Sequence, residues 1–180
     1  MTGTGNHAQL CERTIDSPYG PLTLVGSTEG LRAILWPDDD SRRAVHSRDA
    51  RPRSSVDVFD EAARQLEEYF MGSRRQFELP LDLCGTTFQE DAWRALTDIP
   101  YGETRTYAEQ AAHLGRPAAV RAVGAANGRN PLPLVLPCHR VIGSDGALRG
   151  FAGGLAVKAA LLEFERERRQ RPAAPTAGDA

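Results

Sequence analysis

Cysteine is scarce in this chain: three in 180 residues, at Cys11, Cys84 and Cys138. An odd count without tight spacing argues against a disulfide framework and against a cysteine-rich zinc site. Long apolar runs are also missing, and none approaches the ~20 residues a membrane helix needs. The first ten residues, MTGTGNHAQL, contain no basic stretch followed by an apolar core, so they do not read as a secretory signal. These absences lead to the expectation of a soluble cytoplasmic protein with no membrane partner. Charge imbalance is lacking too. The formal net charge is −2, so composition alone does not announce a polyanionic partner.

The charge is distributed unevenly. Residues 1–85 carry 10 Arg against 14 Asp and Glu, a balance of −4. Residues 101–150 carry six Arg against Glu103, Glu109 and Asp145, a balance of +3. A mild local basic field of this kind can meet phosphate, although on charge alone a solvated surface is the simpler reading.

Patterning divides the chain into two lobes, and the expected class is α+β. Residues 1–10 read as disordered. Residues 12–36 read as strands separated by turns at Ser17-Pro18-Tyr19-Gly20-Pro21 and Glu29-Gly30. Residues 37–55 are polar and Pro-rich, hence mostly loop. Residues 57–71 place Phe59, Ala62, Ala63, Leu66, Tyr69 and Phe70 at helical spacing, and Gly72 closes that helix. A strand-like FELPLDL follows at 77–83, giving a β–β–α–β outline for residues 1–85.

The second lobe, residues 86–171, is mainly helical. Thr86 or Thr87 caps a helix through FQEDAWRALTDI, with Phe88, Ala92, Ala95 and Leu96 on its buried face. Thr106 to about Leu114 and Ala118 to about Asn127 are two short helices joined by Gly115-Arg116-Pro117, a helix-turn-helix spacing. Residues 130–141, NPLPLVLPCHRV, cannot form a regular helix because prolines interrupt them. Their apolar residues predict an extended segment through the core, ending at Cys138-His139. A Gly-rich loop at 143–154 and an amphipathic helix over 155–168 follow. The Pro/Ala tail, 172–180, reads as disordered.

A thiol reacts as its thiolate and needs a base or a positive field beside it. Taken alone, Cys138 is more simply a buried structural cysteine. The proline frame, the Gly-rich loop and the helix-turn-helix together favour a reactive one. Pro137-Cys138-His139-Arg140-Val141 resembles the active-site motif of the O6-alkylguanine-DNA alkyltransferases, also called methylated-DNA–protein-cysteine methyltransferases. Ile99-Pro100-Tyr101-Gly102-Glu103-Thr104, Arg121-Ala122-Val123-Gly124, Asn130-Pro131 and Gly153-Gly154 with Lys158 fall in that family's order and spacing. Ile15 to Leu22 resembles its first lobe more weakly.

The resemblance implies a ribonuclease-H-like sheet-plus-helix lobe followed by a winged-helix-like helix-turn-helix lobe. It implies repair of double-stranded DNA carrying O6-alkylguanine, with O4-alkylthymine as a further candidate lesion. The alkyl group would pass once and irreversibly to Cys138, with no cofactor, no metal and no obligate protein partner. Cooperative assembly on DNA stays open. His139 would connect to Cys138 through a water and be oriented by Glu165. Tyr107 would donate to the base. Arg121 would fill the gap left by a flipped-out base, beside the small DNA-facing residues Ala122 and Ala125. Asn130 would be a hinge, tying the turn before the Pro-rich segment to the helix-turn-helix. Pro133, Val141 (through its carbonyl), Phe151, Ala152 and Gly153 would line the base pocket. Many relatives carry Tyr-Ser where this chain has Phe151-Ala152, so a hydroxyl contact to O6 is absent. Asn127 stands where an apolar residue is common, which predicts a more polar pocket edge. Cys11, His7, His46 and Cys84 make no trustworthy zinc pattern.

Three rivals remain at this point. A lesion-binding module without transfer is opposed by the presence of Cys138. A transcription regulator is opposed by an Ala/Gly-rich recognition helix with few side chains to read bases. A Cys-His hydrolase would need an oxyanion hole, for which no separate signature is present. The +3 of residues 101–150 predicts weak non-specific DNA binding that falls as salt rises. A titration of undamaged duplex at increasing salt checks this, and salt-independent binding would contradict it.

Overall fold

A computed structural model describes residues 10–37, 51–52 and 57–170. The expected disorder at 1–9 and 172–180, and His7 and His46, fall outside those residues. Leu10, expected to be disordered, is instead buried against Val25 and Ala33. Strands β1 (Cys11–Ile15), β2 (Leu22–Gly26) and β3 (Leu31–Leu35) form an antiparallel meander. A two-residue strand β4 (Arg51–Pro52) pairs in parallel with β1, inside the stretch expected to be loop. The sheet order is β3-β2-β1-β4. The turn between β2 and β3 requires glycine: Gly30 has φ +153°, and a β-carbon there would lie 2.4 Å from the Pro80 carbonyl oxygen.

Helix α1 (Asp57–Met71) matches the predicted range. Its apolar stripe, Phe59, Ala62, Leu66 and Tyr69, packs with Leu22, Leu24, Leu31 and Ile34 of the sheet in the main core. Residues 77–83 do not form the expected strand. They touch the sheet at a single bridge between Leu31 and Leu81, where Leu31 N donates to Pro80 O (2.8 Å) and Asp82 N to Leu31 O (2.9 Å). Pro80 has no N–H to donate, which keeps the pairing from extending. The first lobe is therefore a sheet followed by one helix, and the final strand of the β–β–α–β outline is absent.

In the second lobe, α2 (Thr87–Arg94) begins with a capping box between Thr86 and Gln89 and continues as a 3₁₀ turn, Ala95–Asp98. Helix α3 (Tyr107–His113) has a second capping box, Thr106 with Glu109. A 3₁₀ turn, Pro117–Ala119, leads into α4 (Val120–Gly128). Two buried polar side chains lock the helices together. Trp93 Nε1 donates to Ala126 O (2.8 Å), and Gln110 Nε2 donates to Ala92 O (3.0 Å). Strand β5 (Arg105–Thr106) pairs in parallel with β6 (Val141–Ile142), holding the start of α3 beside the end of the Cys138 turn. Helix α5 (Gly154–Arg169) closes the lobe.

Residues 131–140 are all buried, as their composition predicts, but they are not extended. The chain winds back on itself, with Leu136 N donating to Leu132 O (2.8 Å) and Leu134 at φ +79°. Positive φ in a leucine is strained, on the order of 1–3 kcal/mol. Asn130 holds the turn: its Nδ2 donates to Leu136 O (2.7 Å) and its Oδ1 accepts from Leu132 N (3.0 Å). The expected side-chain tie to the helix-turn-helix is thus corrected. The side chain braces the proline turn, and only the backbone N–H of Asn130 reaches back, to Asn127 O (3.1 Å).

Thr106 caps the helix that begins at Tyr107, so its loss would loosen the placement of that phenol. Thr106→Ala should cost about 1 kcal/mol of stability, a typical N-cap loss. Urea denaturation of the two proteins measures it.

Candidate active site

The site is assembled around a buried carboxylate. Glu165, on α5, is fully buried and accepts five hydrogen bonds. Its Oε1 accepts from Tyr69 Oη (2.7 Å), His139 Nε2 (2.8 Å) and Arg140 Nη2 (2.9 Å). Its Oε2 accepts from Gly102 N (3.0 Å) and Arg140 Nε (2.8 Å). Burial alone would raise this carboxyl, but His139 and Arg140 outweigh burial and hold it far below the usual carboxylate range. Arg140 also donates to Ile99 O (2.7 Å), so its guanidinium is fixed from two sides.

Cys138, His139 and Arg140 occupy one 3₁₀ turn. Cys138 and His139 are therefore not neighbours on a strand with side chains forced apart. His139 is completely buried. An ionised carboxylate only accepts, so His139 Nε2 carries the proton. Burial pushes the imidazole below its ordinary value, and Arg140 and Lys158 push the same way against the pull of Glu165. The ring is neutral at physiological pH, and its buried Nδ1 has no hydrogen-bond partner among the described residues. A neutral imidazole with its outer nitrogen protonated and held by a carboxylate presents a basic lone pair at the other nitrogen.

Lys158 is buried beside this turn and donates from Nζ to Val141 O (2.7 Å) and Arg149 O (2.8 Å). Burial lowers its affinity for a proton, and negative charge on Cys138 restores part of it, so the ammonium and a thiolate at Cys138 stabilise each other. Val141 is buried, and its carbonyl, expected to line the base pocket, accepts from Lys158. Tyr107 is partly buried and donates to Arg149 O (3.3 Å). Burial, reinforced by negative charge at Cys138, raises its phenol, which stays protonated and able to donate at neutral pH.

The other predicted residues sort into two groups. Asn130 and Pro133 are buried in the proline turn, while Phe151, Ala152 and Gly153 are partly buried over the site. The Phe151 and His139 rings meet edge-on at 6.3 Å. Arg121, Ala122 and Ala125 are exposed on the outer face of α4. Arg121 makes no ion pair or hydrogen bond with any described residue. Gly124 of α4 faces Tyr107: a β-carbon there would lie 3.9 Å from the ring, an ordinary contact. Asn127 is corrected. It is buried against α3, donating to Gln110 Oε1 (2.7 Å), so its polarity is spent between helices.

Sequence reasoning assigned no role to Tyr69, Gly102 or Arg140. Arg140 was within the quoted motif and Gly102 within another, but a long-range bond to Glu165 leaves no periodic trace. Cys11 is buried and Cys84 exposed, both as free thiols. Among the described residues no three His, Cys, Asp or Glu side chains converge as a metal site would require.

Two family models match the chain. The ribonuclease-like domain of 6-O-methylguanine DNA methyltransferase matches residues 10–83, and the DNA-binding domain of the same family matches 87–167. The chain belongs to the methylated-DNA–protein-cysteine methyltransferase family. A methyltransferase of that name from Methanosarcina barkeri is 48% identical over 84% of this chain and 94% of its own length. One from Mycobacterium bovis is 47% identical over 87% and 92%. A solved Mycobacterium tuberculosis relative in complex with DNA superposes with a TM-score of 0.78 at 48% identity, covering 87% of this chain and 93% of that one.

Acid should unfold this site. Glu165 has a folded value below its unfolded 4.5, so its contribution is full above about pH 5 and is lost as pH falls towards the folded value. His139 also has a folded value below its unfolded 6.5, so the unfolded chain binds the extra proton and stability drops below about pH 6.5. Denaturation with urea from pH 7 to pH 3 should show a continuous decline that steepens below pH 5. A flat profile would contradict the buried charge assignment. Glu165→Gln should lose about 3–5 kcal/mol at pH 7, because Arg140 is left buried without its counter-charge.

Proposed function

We propose that Cys138 accepts the alkyl group of O6-alkylguanine in double-stranded DNA, reversing the damage directly and consuming one protein molecule per lesion. The observation that carries this reading is the buried His139–Glu165 pair, which leaves His139 Nδ1 basic and unpartnered in the turn that bears Cys138.

Cys138 Sγ loses its proton to His139 Nδ1 through a water, and the resulting imidazolium is held by Glu165. Lys158 stabilises the thiolate. The sulfur lone pair forms a bond to the alkyl carbon while the bond from that carbon to O6 breaks. The released electron pair passes into the guanine ring, where the Tyr107 hydroxyl donates a hydrogen bond to the developing charge. The proton taken from sulfur restores neutral guanine, and a thioether remains on Cys138. No cofactor or metal takes part, and no protein partner is required.

Reaching the alkyl carbon requires the nucleotide to leave the stack. In this reading α4 docks in the minor groove through Ala122 and Ala125, whose small side chains permit close approach, and Arg121 enters the gap. Pro133, Val141, Phe151, Ala152 and Gly153 enclose the flipped base, and Asn130 keeps the proline turn in shape. Residues 86–171 carry contact and chemistry; residues 1–85 support them.

Mass measurement of the protein after incubation with duplex containing O6-methylguanine tests the proposal. One added methyl group, mapped to Cys138, is expected. Cys138→Ala should gain no mass yet still bind the duplex. Unmodified protein with restored guanine would indicate a hydrolase. Binding without transfer or repair would indicate a lesion-recognition module.

A further inference from the structure

Besides Tyr69, which donates to Glu165, the first lobe reaches the site through Trp36. Trp36 follows β3 and is buried, with 4% exposure. Its ring meets Phe151 edge-on, with centroids 5.8 Å apart, and Phe151 in turn meets His139 at 6.3 Å. Gly153 lies directly on the indole: a β-carbon there would sit 2.8 Å from Trp36 Cδ2 and 2.9 Å from Cε2. The indole N–H is buried and has no acceptor among the described residues, so packing alone sets the ring's position.

The backbone beneath Trp36 is also anchored. Ile34 N donates to Pro131 O (2.9 Å), joining β3 to the proline turn that carries Cys138. One short piece of the first lobe thus holds both the turn with the nucleophile and the loop opposite it. The loop cannot retreat without displacing a large buried ring.

We propose that Trp36 is a positioning residue that sets the size of alkyl group the site accepts, by backing the 151–153 loop against His139. This inference rests on the alkyl-transfer reading above. A methyl group reacts with the loop in its resting place. A bulkier group needs the loop to recede, and Trp36 blocks that movement. A smaller residue at position 36 opens space behind Gly153 and Phe151, so bulky groups gain relative to methyl.

Single-turnover rates on duplexes carrying O6-methylguanine and O6-benzylguanine, taken on the same preparation, give a benzyl-to-methyl ratio. That ratio is independent of the fraction of active protein, so partial unfolding cannot create the effect. Trp36→Leu should raise it by about tenfold. Trp36→Phe, which loses the part of the indole lying on Gly153 but keeps an aromatic edge, should raise it by less. An unchanged ratio in either folded variant, or both rates falling by one common factor, would overturn the inference and reduce Trp36 to a core residue. Failure of the unaltered protein to transfer methyl at all would instead overturn the alkyl-transfer reading itself.

Discussion

The ion pair between Glu165 and Arg140 is the constraint on which the remaining geometry depends. A carboxylate without exposure is tolerable only when its acceptor sites are filled and a counter-charge lies against it. Here the filling groups come from α1 through Tyr69, from the turn after α2 through Gly102, from the Cys138 turn through His139 and Arg140, and from α5 through Glu165 itself. Satisfying one charge therefore fixes four segments that are far apart in sequence. The imidazole orientation follows from this, because His139 has only one nitrogen left after the carboxylate takes the other.

The same arrangement decides the protonation states. Low dielectric favours a neutral imidazole and a neutral phenol, while the paired charges keep Glu165 ionised and negative charge at Cys138 supports the Lys158 ammonium. A neutral imidazole, a protonated phenol and a buried ammonium are thus gathered around the Cys138 turn. In the proposed reaction such preorganisation matters, since the thiol reacts once per molecule.

Much of this was legible in the chain. Helix α1, both capped helix starts and the helix-turn-helix follow from spacing and cap residues, which act locally. Burial of 131–140 follows from apolar composition. Its wound path does not, because Leu134 adopts a positive φ within a turn braced by the Asn130 side chain and by the Leu136–Leu132 hydrogen bond. The strand expected at 77–83 failed for the opposite reason: local β-propensity was present, but Pro80 cannot donate to a ladder. Glu165 became visible through family resemblance. From residue pattern alone it reads as one more acid on an Arg/Glu-rich helix, since burial by a distant lobe has no local signature. Tyr69 likewise reads as an ordinary core position on α1.

Tyr69 and Trp36 also change what the first lobe is. Neither could be assigned a role from residues 1–85 alone, where no chemistry is apparent. Tyr69 donates to the carboxylate that holds His139, and Gly153 of the loop beside His139 lies against Trp36. Both contacts cross between lobes and both end at His139, one through Glu165 and one through Phe151. The imidazole is thus gripped from the carboxylate side by charge and from the loop side by shape. Charge fixes its protonation and orientation, which every lesion requires. Shape fixes the room beside it, which differs between lesions. In the proposed transfer, placing the two constraints on different residues leaves the alkyl preference free to vary without disturbing the base.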